Sequence, residues 1–291
     1  MKSAVVQMNH PFIEIQIIAQ SPDDFLRSTG QVFAVFDERT QDSGNISYGL
    51  LAGARRFFVK TAGMPENSKA HLSHEQRVAL LRNAVSFRRS VAHHSLPELL
   101  NVIEAPHGPM LVYEWVPGEL LSVERSRRAD PAAPFQRFRA LPFSDLITGL
   151  DVVFDFHRSA AELGWVAVDF YDGAMIYDFA TQAMRLIDLD HYRDRPFTNE
   201  MGRMFGSTRF MAPEEFELGA IIDEVTNVFT MGRVISVFLS DGTLELTPFR
   251  GGRPLYEVMI RACQPERKER FPSMKAFDAA WLAACGYIIR R

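Results

Sequence analysis

The sequence predicts an α+β protein in which a strand-rich first third is followed by a mainly helical remainder. Three observations predict it. Ile13 to Ile17 alternates apolar and polar residues at period two, the pattern of a half-buried strand, and several short strand-like runs follow before Trp115. After Phe143 the apolar residues recur at helical spacing instead, as in Leu146, Ile147, Leu150, Val153 and Phe154. The composition, 291 residues with 47% hydrophobic and 23% charged, supports a sizeable core and excludes a disordered chain. The expected division is 1–113 (strand-rich), 114–118 (a connection) and 119–291 (helical).

Ile13-Glu14-Ile15-Gln16-Ile17 reads as a first half-buried strand. Ser21-Pro22-Asp23-Asp24 supplies an N-cap, a proline at the first helical position and acidic first-turn residues, and Gly30 closes that short helix. Gln31 to Phe36, Ser47 to Ala52 and Arg56 to Thr61 are three strands, the last two joined by a tight turn at Gly53. His71 to Ala92 is a long helix with Val78, Leu81, Val85 and Val91 apolar. Strands Leu99 to Glu104 and Met110 to Trp115 flank the turn at Pro106-His107-Gly108-Pro109. Glu124 to Pro134 is a polar surface loop, and Phe143 to Leu163 is a helix stopped by Gly164. Two short strands, Met175 to Phe179 and Met184 to Asp188, follow. Asp223 to Leu239 is apolar nearly all round, as a core helix is, and Ser273 caps a last helix to about Ala284.

The net charge of −4 (32 basic, 36 acidic) gives no global field for nucleic acid, and pairs such as Arg88-Arg89 and Arg267-Lys268 read as solvated faces. Cys263 and Cys285 make no disulfide framework and have no metal-ligand spacing, so two buried thiols in a reducing cytoplasm are expected. No secretory apolar region or membrane-length apolar run is present.

Gly206-Ser207-Thr208-Arg209-Phe210-Met211-Ala212-Pro213-Glu214 follows the strand end Leu186-Ile187-Asp188-Leu189-Asp190. This order resembles the end of a protein-kinase activation segment, whose Ala-Pro-Glu is a signature element. The resemblance spans roughly Gln31 to Ala284. It implies a bilobal fold, an antiparallel sheet with one helix in the first lobe and a mainly helical second lobe, together with ATP and Mg²⁺ or Mn²⁺ as cofactors.

The same resemblance assigns roles by position. Phe57-Phe58-Val59-Lys60 is similar to the family's lysine strand, so Lys60 would reach the α- and β-phosphates. Glu75, the only acid in the long helix, is the candidate to hold that lysine; an exposed first-turn glutamate is the alternative. Met110 to Gly118 looks like the hinge, with the Glu114 carbonyl and the Val116 N–H binding adenine above Ile176. Ser43 and Gly44, before Asn45, would offer backbone N–H groups to phosphate in place of a glycine-rich loop, or form a plain polar hairpin. Asp169 would orient the acceptor hydroxyl, and Ser207 takes the place of a hydroxyl that contacts it. Asp188 would bind the metal. Glu214 would pair with Arg270, and Asn227 would bond the catalytic-loop backbone.

Three departures matter. Ala167-Val168 replaces His-Arg before Asp169, and Ala174 stands where the family places a metal-binding asparagine. Asp188-Leu189-Asp190 replaces Asp-Phe-Gly and is similar to the Asp-x-Asp of aminoglycoside and choline phosphotransferases. Asp190, or alternatively Asp172, would then complete the metal site. The leading expectation is a protein Ser/Thr kinase with ATP and a protein acceptor as partners, since small-molecule kinases generally lack Ala-Pro-Glu. The alternatives are a small-molecule kinase and a pseudokinase that binds nucleotide without efficient transfer.

Overall fold

A computed structural model describes residues 11–38, 43–66 and 70–289. Among them the chain is mixed α+β, with seven α-helices, a five-stranded antiparallel sheet and two small sheets. None of these helices is long and apolar enough to cross a membrane. The chain divides into two compact units: Met1–Arg89 with Pro97–Val116, and Ser90–Leu96 with Pro117–Arg291. The second unit thus begins after Val116 and also takes in a short piece of chain from before the fourth strand. That piece joins it through real bonds. The Leu186 N–H donates to the Ser95 carbonyl at 2.9 Å, Trp165 Nε1 donates to Ser90 Oγ at 3.0 Å, and His93 Nε2 lies 3.0 Å from Asp155 Oδ2.

In the first unit, α1 (Pro22–Thr29) starts as its sequence requires, with Ser21 Oγ accepting the Asp24 N–H at 3.2 Å. Strands β1 (Gln31–Phe36), β2 (Ile46–Ala52), β3 (Arg55–Thr61), β4 (Leu99–Ala105) and β5 (Gly108–Glu114) form one sheet in the order β1-β2-β3-β5-β4. One face packs Tyr48, Leu50, Phe57, Val59, Ile103 and Met110 around Phe12, Phe25 and Leu26. On the other, Leu111 and Ala62 meet Leu81, Ala84 and Val85 of α2 (His74–Ser90). The central strands β2, β3 and β5 are buried on both faces, while β1 and β4 at the edges are only partly covered.

The expected strand at Ile13–Ile17 is instead a 3₁₀ turn at Pro11–Ile13 and an extended stub. The stub adds to the sheet edge only at Ile17, bridged to Glu104, with the Glu104 N–H reaching the Gln16 carbonyl at 2.8 Å. Phe12 enters the core, and Ile17 stays exposed.

The second unit opens with β6 (Glu119–Leu120), which pairs with β7 (Met175–Asp178), itself paired with β8 (Ala183–Leu186). The loop expected over Glu124 to Pro134 contains a 3₁₀ turn, Arg125–Arg127, and leads into α3 (Pro134–Arg139), a helix the periodicity did not announce because it is barely a turn and a half long. Helix α4 (Phe143–Glu162) packs Phe154 edge-on against Phe277 and Trp281 of α7 (Met274–Ile289). β9 (Phe197–Thr198) pairs with β10 (Ile221–Ile222). Helix α5 (Glu224–Leu239) is buried along almost its whole length, and Asp223 caps it by accepting the Val225 N–H at 2.8 Å. Helix α6 (Gly252–Ala262), between α5 and α7, lies outside the elements expected above, although Leu255, Val258, Met259 and Ala262 recur in it at helical spacing. Both cysteines are buried, and burial pushes each thiol up to about 12.

Candidate active site

Asp169 and Asp188 are two of the four non-glycine residues with positive φ among the described residues, at 60° and 57°. The left-handed region is unfavourable for any residue with a Cβ, and such strain persists only where the surroundings impose it. For Asp169 the surroundings are visible. Two residues earlier, the Ala167 N–H donates to Asn227 Oδ1 and its carbonyl accepts from Asn227 Nδ2, both at 2.8 Å. Val166 forms a two-way backbone bridge with Arg193, at 2.8 and 3.0 Å. The loop is therefore clamped from α5 on one side and from the post-β8 segment on the other. Asn227 makes both clamp bonds without charge.

The Gly206–Glu214 segment closes over this loop. A Cβ added at Gly206, whose φ is +131°, would lie 3.6 Å from Asp169 Oδ1 and closer still to Met211. Between them is a cavity of about 10 Å³, the size of one water, lined by Asp169, Gly206, Met211, Glu215 and Thr230 among others. Glu214 anchors the segment. It accepts both Nη groups of Arg270, at 2.7 and 2.9 Å, across 56 positions of sequence, and Nη1 of Arg267 at 2.6 Å. Burial pushes the Glu214 carboxyl up, but the hydrogen bonds and charge of Arg270 outweigh it, so the group is held below its ordinary range. Arg267 also binds Asp223 at 2.6 Å, so this arginine is not the solvated residue its basic run suggested.

Glu215, the next residue, sits in the same buried pocket with no cation on its carboxylate. Its Oε2 accepts the Ala212 N–H at 2.6 Å. Burial is the main cause that lifts its carboxyl to about 7, helped by Glu214 and Asp169.

The other expected site residues fall as follows. Asp190 is buried and Asp188 is exposed, two residues apart at the end of the β8 segment. Asp172 lies buried in the 3₁₀ turn Asp172–Ala174, where its Oδ2 is bonded to Arg209 Nη2. Its other oxygen, Oδ1, is buried with no hydrogen-bond partner among the described residues. Ala174 is buried and offers only a methyl group. Ser207 is half-buried, and its hydroxyl makes no hydrogen bond among the described residues, so the expected contact with Asp169 is absent there. Ile176 is half-buried on β7, paired with Leu120 and Arg185.

In the first unit, Lys60 is nearly buried on β3, opposite Leu111 and so on the sheet face that α2 covers. Glu75 does not reach it. Ser73 and Gln76 cap α2 reciprocally, at 2.8 and 3.3 Å, which puts Glu75 in the exposed first turn, where it accepts the Ser73 hydroxyl at 2.8 Å. The inward residue of that turn is Arg77. Glu114 ends β5, bonded through its N–H to the Glu98 carbonyl at 3.0 Å, and Val116 ends the unit.

Of the loop expected to cover phosphates, residues 39–42 lie outside the described residues. Gly44 has φ +84° and is buried by its own unit: a Cβ there would lie 2.3 Å from Ala70 Cβ and 2.8 Å from Arg77 Nη1. Its conformation suits a nest, and Ser43 beside it is half-buried. The residues that sequence reasoning missed are Glu215, Arg209, Arg267 and Arg77. No family model and no curated protein matches the sequence.

Proposed function

We propose that the chain is an ATP-dependent phosphotransferase of the protein-kinase-like superfamily, with the bilobal arrangement of that family and a protein Ser/Thr hydroxyl as acceptor. One observation carries the reading: Asp169 is held in a strained conformation, clamped through Ala167 by Asn227 and faced by a segment that Glu214 and Arg270 lock in place. Strain imposed on a carboxylate beside a small polar cavity is what a positioned general base requires.

In this reading Asp169 accepts the proton of the acceptor hydroxyl as the oxygen attacks phosphorus. Lys60 neutralises phosphate charge, and the backbone of Glu114 and Val116 holds the base. Asp188 with Asp190, or alternatively Asp172, supplies oxygen donors for Mg²⁺ or Mn²⁺. Among the described residues no cluster of three metal-ligating side chains exists, and Mg²⁺ needs none, because it is commonly held by one or two carboxylates with phosphates and water. The ion supplies charge neutralisation at the transferring phosphoryl group.

Buried Ala174 and the Asp172–Arg209 pair favour a second reading, a nucleotide-binding module with little turnover. Incubation of the pure protein with labelled ATP and Mg²⁺ or Mn²⁺ separates the two. Transfer to the chain or to an added protein, reduced about 10²–10⁴-fold in Asp169→Ala, supports the first. ATP binding with no transfer, and gain of transfer in Ala174→Asn, establishes the second. Label found only on an added small hydroxyl compound removes the protein acceptor.

A further inference from the structure

We propose that the surface around Asn199 is where two copies of the chain pair about a two-fold axis. The proposal does not depend on the phosphotransferase reading.

Asn199 is almost wholly buried and joins two stretches of chain. Its N–H donates to the Ala220 carbonyl, and its own carbonyl accepts the Gly219 N–H, both at 2.8 Å. Its Nδ2 donates to the carbonyls of Gly202 and Glu214, at 2.5 and 3.3 Å, and its Oδ1 accepts the Met201 N–H at 3.0 Å. The β9–β10 ladder continues the joint, with Thr198 opposite Ile221.

Apolar side chains crowd the outside of this joint. Of the twelve large apolar residues that are exposed among the described residues, Met201, Phe216, Leu218 and Ile221 each lie within two residues of a group that Asn199 bonds. Single exposed apolar residues are ordinary, whereas several gathered at one place mark an interaction surface. A Cβ added at Gly202 or Gly219 would meet nothing within 4 Å, so no other part of the described chain stands over either turn. The bonds of Asn199 already fix both stretches, and little backbone freedom is lost when the surface is covered.

The charges beside these residues indicate what covers them. Glu200, Arg203 and Glu217 are exposed, and none makes an ion pair among the described residues. The Arg203 side chain makes only a long bond, 3.4 Å, from Nη2 to the Gly206 carbonyl. A rim with both signs around an apolar centre is self-complementary, because a two-fold axis makes each contact twice, once in each direction. Arg203 of one copy then meets Glu200 or Glu217 of the other, and the reverse contact repeats it. A partner of a single sign would leave either the arginine or the glutamates facing like charge.

Sedimentation velocity of the full chain over a concentration series is expected to show a monomer–dimer equilibrium. Leu218→Asp places a charge among the apolar residues and should raise the dissociation constant about tenfold or more. Leu282→Asp, on α7, should leave it unchanged. Both leucines are more than half exposed, so neither change threatens the fold. The rim supplies the decisive step. Arg203→Glu alone sets like charges against each other, as does Glu200→Lys combined with Glu217→Lys, and each should weaken self-association about threefold or more. An equimolar mixture of these two variants should pair again as a heterodimer, since every rim contact is then between opposite charges. A chain that stays monomeric up to its solubility limit, a dimer that Leu218→Asp leaves equally tight, or a mixture no tighter than its components would overturn the proposal.

Discussion

Arg77 in the first unit and Arg270 in the second are both almost wholly buried, yet their surroundings meet the charge in opposite ways. Arg77 donates from Nε, Nη1 and Nη2 to the carbonyls of Ala62, Leu72 and Met64, at 2.7, 2.9 and 2.7 Å. Arg270 donates two parallel bonds to Glu214 and further bonds to the carbonyls of Gln264 and Pro265, at 2.7 and 2.9 Å. The first cation is held by backbone dipoles and the second by an opposite charge. A carbonyl cradle cannot be removed by changing a neighbouring side chain, so Arg77 is robust to substitution around it. The Arg270 arrangement ties together segments 56 positions apart but depends on one carboxylate. Burial lowers the Arg77 pKa, whereas Glu214 stays ionised against burial because of Arg270.

The largest expected effect follows from that dependence. Glu214→Ala leaves Arg270 buried without a countercharge and should destabilise the second unit by about 3–5 kcal/mol, read as a fall in the denaturation midpoint. A midpoint that does not move would abolish the contrast between the two arginines.

Next in size is Glu215→Gln. The folded carboxyl sits near 7 against an ordinary 4.5, so between those values the folded state holds a proton that the unfolded chain has released. Stability from this group therefore falls as pH rises from 4.5 through 7. The amide removes that dependence and should stabilise the protein at alkaline pH by up to about 3 kcal/mol, with little effect in acid. His157 works in the other direction. It is buried between the Val153 carbonyl and the Tyr192 hydroxyl, burial lowers it to about 4, and its contribution is lost as pH falls from 6.5. Denaturation curves at several pH values should thus show the Glu215→Gln difference growing only on the alkaline side.

The smallest effect is expected at Arg77. Arg77→Met strands three carbonyls but also removes a buried charge, so a net loss of about 2 kcal/mol is expected, and Arg77→Lys should not restore it, since one ammonium cannot span three separated acceptors. Full rescue by lysine would mean that charge, not the cradle, is what matters there.

Local chemistry made much of the fold legible. Ser21-Pro22 set α1, and the turn residues at Gly53 and Gly108 set the hairpins. The start of α2 was legible too, since Ser73-His74-Glu75-Gln76 is a capping box, and reading it would have placed Glu75 outward. Ile13 to Ile17 misled because alternation describes a half-covered extended chain whether or not a ladder forms. In the candidate site, the Glu214–Arg270 pair followed from a motif. Arg209–Asp172 and Arg267–Glu214 did not, because a buried partner far along the chain leaves no local trace, and an arginine in a polar run looks solvated either way.

Ser90–Leu96 has a consequence for heredity and transplantation. Its residues lend Ser95 to β8, Ser90 to Trp165 and His93 to Asp155, although the chain from Pro97 to Val116 returns to the other unit before Pro117 resumes the second. The second unit is therefore not one uninterrupted stretch of coding sequence. Recombination that moved 117–291 alone would deliver a body lacking the Ser95 carbonyl at the end of β8, the Ser90 hydroxyl at Trp165 and the His93 ring at Asp155. The two units have to be inherited together or rebuilt at that seam.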